Sequence, residues 1–143
     1  MTPKQIDLVQ ASWTMVLPIK DTVATLLYDR LFDLDPGLQT LFRGDMKEQG
    51  RRLILMIGVA VSSLGRMDNI IPGLQELSRR HAIYDVKDSD YDTFGVALIW
   101  ALEQGLGEAF TVDVRAAWIQ AYALLAGVMK VAAADEVTYG FTD

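Results

Sequence analysis

The chain has 143 residues, 51% of them apolar, a formal net charge of −6 and no cysteine. That length suits one domain spanning 1–143 with a sizeable core. The acidic balance argues against nucleic acid or an anionic membrane surface as a partner, and the lack of thiols excludes disulfides, thiolate metal sites and cysteine nucleophiles.

The opening "MTPKQIDLVQ" has no basic flank before a long apolar run, so it does not read as a signal peptide. No stretch approaches the ~20 apolar residues of a membrane span. The expected location is therefore cytoplasmic. Ile6, Val9, Trp13 and Val16 recur at helical spacing behind Thr2, Pro3 and Gln5, which supply a cap, a first-turn proline and a capping-box partner. A second helix starts near Asp21 and carries Leu27, Leu31 and Leu34. "DPGLQTLF", Asp35 to Phe42, is a short cap-proline start. Leu53, Met56, Ile57, Ala60 and Leu64 stripe the next helix, although "RRLILMIGVAV" is β-friendly by composition. "NIIPGLQELSRRH" predicts a helix from near Pro72 to about His81. Asp88 is placed to cap a long helix bearing Phe94, Leu98, Ala101 and Leu102. Thr111 is placed to cap the last, with Val114, Trp118, Ala121, Tyr122, Leu125 and Met129 inward. From about 134 the pattern is lost, and the tail 134–143 is expected to fray. The expectation is an all-α domain of about seven helices.

His81 is the only histidine, set in "LSRRHAIYDVKDSDY". A metal held by protein alone wants three or four donors, which this chain lacks. A catalytic triad could be imagined from His81 with Asp85 or Asp88, but no oxyanion loop accompanies it. A single histidine suffices where a macrocycle already holds the metal, as haem does. A second axial histidine is then impossible, so the sixth position is open or taken by water, a small ligand, or a weaker side chain such as Tyr28 or Lys47.

Pro36, the "LF" of Leu41 and Phe42, Gln49 with Leu53 four residues later, and His81 twenty-eight beyond Leu53 together resemble the globin pattern. The likeness is above all to single-domain bacterial haemoglobins and the haem domain of flavohaemoglobins, and it runs from about Gln5 to about Ala132. "AAWIQAYALLAGVM" is similar to the last helix of that group. The resemblance implies a globin fold around a haem b pocket. His81 is then the metal ligand, its second ring N–H turned to the Leu77 carbonyl or the Ser78 hydroxyl. Phe42 packs on the macrocycle, Leu53 crowds the distal face, and Val86 and Tyr84 border the proximal side. Tyr28 and Gln49 stand over the iron, where a phenol O–H and an amide N–H can both donate to bound O2. Arg51, Arg52, Arg79 and Arg80 flank the pocket, with Arg52 and Arg80 the choices for the propionates.

The same resemblance implies tight binding of O2, a reaction with NO to give nitrate, and dependence on a separate electron-donating reductase, since no G-x-G-x-x-G or P-loop pattern is present. In flavohaemoglobins a tyrosine and a glutamate brace the proximal histidine. Tyr91 matches the tyrosine, but the glutamate position falls on Ala133, with Asp135 and Glu136 just beyond. That weakens any expectation of O–O bond cleavage. The sequence also leaves two alternatives: a binding protein for O2 storage, delivery or sensing, and a haem-free globin-fold signalling protein.

Overall fold

The computed structural model describes residues 1–42, 44–66, 72, 75, 76 and 87–139, and their side chains apart from 41, 88 and 128–139. Those residues are helical with no strand: α1 (Pro3–Val16), α2 (Lys20–Leu34), α3 (Met46–Ser62), α4 (Asp88–Leu106) and α5 (Val112–Tyr139), with 3-10 turns at Leu17–Ile19, Pro36–Leu41, Leu64–Arg66 and Gly107–Ala109. The helix expected from Pro72 shows helical backbone at 72, 75 and 76; the rest of it lies outside the described residues.

Local chemistry sets the boundaries. Thr2 and Gln5 close the capping box on α1: the Gln5 N–H donates to Thr2 Oγ1 at 3.1 Å, and the Thr2 N–H to Gln5 Oε1 at 2.9 Å. Asp35 Oδ1 accepts from the Gly37 N–H, starting the short turn at Pro36. Asp45 Oδ1 accepts from the Lys47 N–H and starts α3, and Thr111 Oγ1 accepts from the Val114 N–H at the head of α5. One expectation needs correction. Asp88 is the first residue of α4 rather than its cap, and the carboxylate that serves the helix start is Asp90, accepting from the Lys87 N–H at 2.8 Å. The α5 backbone is helical to Tyr139.

The buried residues form one cluster in which Val9, Val16, Val23, Leu27, Leu31 and Leu102 are almost fully enclosed. Each leucine so enclosed stabilises by roughly 1.5–3 kcal/mol relative to exposure. Helix α2 lies across α4, and a Cβ at Gly105 would sit 2.8 Å from Val23 Cγ2, so the absence of a side chain there sets how closely the two helices approach. Helix α1 packs on α5 through Trp13 and Trp118, ring centroids 6.1 Å apart. The Trp118 indole donates to Ser12 Oγ at 2.8 Å, and that hydroxyl donates on to the Leu8 and Val9 carbonyls, so a polar atom inside the core keeps its partners. Gln10 Nε2 ties α1 to α3 by donating to the Val61 carbonyl, one of those an α-helix leaves unpaired at its end.

Candidate functional site

The contact of α2 with α3 gathers most of the described candidates. Tyr28 lies on the inner face of α2 and is 7% exposed. Its position follows from spacing: Ala24, Leu27, Tyr28 and Leu31 share the buried stripe of that helix. Helix α3 comes close because its residue after Gln49 is glycine. A Cβ on Gly50 would stand 3.3 Å from Ala24 Cβ and 3.9 Å from Tyr28 Cε2. Gly50 was no candidate in the sequence, although a glycine interrupting a strong helical run beside Gln49 was the available signal.

The Tyr28 hydroxyl donates to the main-chain carbonyl of Gln49 at 3.4 Å. That is long for an O–H···O bond, whose usual range is about 2.5–3.0 Å. Burial pushes the Tyr28 phenol up to about 12. The group is therefore a neutral donor across the physiological range. Gln49 is half-buried in the first turn of α3, and Leu53, one turn further, is buried in the core cluster.

Phe42 ends the short turn after α2 and is half-buried. Its ring meets Tyr28 edge-on, with centroids 5.3 Å apart at 71°, and meets Phe32 at 5.5 Å and 66°. Tyr28 and Phe32 stack at 6.0 Å. Three mutual contacts hold the Tyr28 ring in place from two sides, each contributing roughly 0.5–1.5 kcal/mol beyond burial. Tyr28, Gln49 and Phe42 are thus brought together.

Arg52 is placed differently. Its side chain is 72% exposed and bonded to Glu48 at 2.8 Å, one turn back on the same helix. Such an exposed pair contributes about 0.3–0.5 kcal/mol.

Tyr91 is buried on α4. Its carbonyl accepts a 2.6 Å hydrogen bond from the Tyr122 hydroxyl of α5, and the Tyr122 ring stacks on Phe94 at 6.0 Å. A Cβ on Gly95 would lie 2.6 Å from Tyr122 Cε2, so the ring rests directly on the α4 backbone. Burial first, then the neighbouring Tyr91 and Asp92, push the Tyr122 phenol up.

His81, Arg79, Arg80, Tyr84, Val86, Leu77 and Ser78 lie outside the described residues. Among the described residues no group of three or more histidine, cysteine, aspartate or glutamate side chains could hold a metal ion, and no helix is long and apolar enough to cross a membrane.

Neuroglobins are among the similar proteins: that of Tetraodon nigroviridis is 28% identical over 144 residues, covering 91% of each chain, and that of Danio rerio is 29% identical over 143 residues, covering 90% of each. Two bacterial structures share the fold. One is an engineered carbene transferase made from a putative nitric oxide dioxygenase of Rhodothermus marinus, with TM-score 0.88 and 20% identity, covering 100% of this chain and 99% of that one. The other is a globin of Campylobacter jejuni, with TM-score 0.85 and 19% identity, covering 96% and 99%. The globin family model matches residues 25–129, a span that holds both the α2–α3 contact and His81. With most of the chain matched to it, this protein belongs to the globins, a family that binds haem and, with it, O2 and related small gases.

Proposed function

We propose that this globin binds haem b with His81 as the one protein ligand to its metal, holds O2 tightly, and supports conversion of NO to nitrate with electrons from a separate reductase. Haem, when bound, supplies the metal that takes the gas and exchanges electrons. The observation that carries the reading is Tyr28. Its phenol is buried, locked by Phe32 and Phe42, kept protonated by desolvation, and engaged, among the described residues, by one long bond to the Gln49 carbonyl. A donor so loosely engaged turns to a better acceptor at little cost, and O2 on a haem carries partial negative charge. Gln49, on the adjoining turn, is the second donor. One such bond to a partly charged acceptor contributes about 1.5–3 kcal/mol. Two would slow O2 release by roughly 10²–10⁴-fold.

The donor chemistry at the α2–α3 contact fits that cofactor: a phenol and an amide can donate to a gas ligand, and the metal's own ligand is left to His81. Phe42 would pack against the macrocycle and Leu53 would sieve ligands by size. Tyr84 and Val86 would border the proximal side, with Tyr91 behind the histidine. Arg80 and Arg52 would hold the propionates, Arg52 by exchanging its Glu48 partner for a propionate oxygen. The combination of one NO with one O2 to nitrate leaves the protein one electron short per turnover, which the reductase returns.

The test is to mix the oxygenated protein with NO in the presence and absence of an electron donor. The proposal predicts stoichiometric nitrate in one turnover and repeated turnover with the donor. Oxygenated protein that yields no nitrate contradicts it. Oxygen storage or delivery is the second reading, favoured by Ala133, which puts a methyl where flavohaemoglobins carry the bracing glutamate. On that reading no cellular reductase sustains turnover.

A further inference from the structure

A groove of about 530 Å³ runs along the outer side of α4 and α5, lined in part by Arg30, Val96, Trp100, Ile119 and Ala123. Its apolar lining is open to solvent: Val96 is 56% exposed and Ile119 45%. Glu103 and Arg115 at its border already satisfy each other at 3.1 Å.

Arg30, from α2, is different. Its guanidinium carbon stands 5.2 Å from the centre of the Trp100 ring. Its Nε is buried and, among the described residues, has no hydrogen-bond partner. Buried guanidinium donors are ordinarily paired, because losing water without a replacement is costly. A guanidinium laid on an aromatic face presents its donors at the ring's edge, the geometry that planar carboxylates match.

We infer that this groove is a binding site for a monocarboxylate with an alkyl chain, such as a medium-chain fatty acid. The carboxylate pairs with the terminal guanidinium nitrogens of Arg30, whose Nε is covered, and the chain lies over Val96, Ile119 and Ala123. The volume is that of a small-molecule site. Arg115 is already paired with Glu103, which leaves Arg30 as the guanidinium that one carboxylate can match. A second copy of this chain is a poorer occupant, since each copy brings a net charge of −6.

The test titrates decanoate into the purified full chain and follows the indole N–H resonances. Trp100 lines the groove and is expected to shift with one-to-one saturation, while Trp13 and Trp118 in the core stay put as controls of fold. Decanol, which has the chain without the charge, and the variant Arg30→Gln are each expected to weaken binding by about 10- to 100-fold. Ile119→Asp, which sets a charge where the chain lies and leaves Arg30 alone, is expected to weaken it too. The inference is overturned if Trp100 does not respond, if decanol or Arg30→Gln binds as well as the original pair, or if the Trp100 shift follows protein concentration rather than decanoate.

Discussion

Replacing Tyr28 with phenylalanine separates the proposed role of the hydroxyl from its part in the fold. The ring stays, with its stacking on Phe32 and its edge contact with Phe42. The only described bond lost is the 3.4 Å one to the Gln49 carbonyl, which is long enough that its loss is worth under about 1 kcal/mol. The melting temperature should therefore move by only a few degrees. Release of O2 should change far more. A hydrogen bond of about 1.5–3 kcal/mol to the bound gas, once removed, speeds dissociation by roughly 10- to 150-fold. Stopped-flow displacement of O2 by excess CO gives the rate directly. Gln49→Leu should act in the same direction, and because the two donors share one acceptor the double variant should not be the product of the singles. A Tyr28→Phe protein that melts normally and releases O2 at the original rate refutes the assignment.

Alkaline stability follows from the same residue. The folded phenol at about 12 lies above the unfolded value of 10, so folding holds the proton more tightly. The associated stability is complete below about pH 10 and is lost as pH rises toward 12, by about 2–3 kcal/mol. A pH titration monitored by circular dichroism should show Tyr28→Phe losing less stability over that window. Gly95→Ala puts a methyl 2.6 Å from the Tyr122 ring; overpacking there should cost about 1–3 kcal/mol, seen as a lowered denaturation midpoint with an unchanged slope. Arg52→Ala removes only the exposed pair with Glu48 and should leave stability within about 0.5 kcal/mol, so a several-fold rise in haem loss rate would report its contact with a propionate.

Helices were legible wherever apolar period and cap chemistry agreed. Thr2 with Gln5, Asp35 with Pro36, and Thr111 each announced a start that hydrogen bonds then make. Asp88 misled because Asp90, two residues on, is equally able to accept from the turn. Two carboxylates so close cannot be ranked without the backbone. Spacing put Tyr28 on the buried stripe of α2, but not against the Gln49 carbonyl, since that contact depends on how closely α3 crosses. Gly50, the residue that sets the approach, carries no chemistry to draw notice. Arg30 was equally silent. Arginines on helices are usually solvated, and only the fold lays this one on Trp100 with its Nε covered.

In the proposed function the chain holds haem through its one histidine and leaves the other side of the iron to O2. The absorption spectrum of the reduced protein, recorded without and then with O2, for the native chain and for His81→Ala, tests it most directly. A five-coordinate ferrous spectrum that converts to a long-lived oxygenated form is expected for the native chain, and loss of haem for His81→Ala. A native chain that retains no haem, or a His81→Ala protein whose spectrum matches the native one, would contradict it.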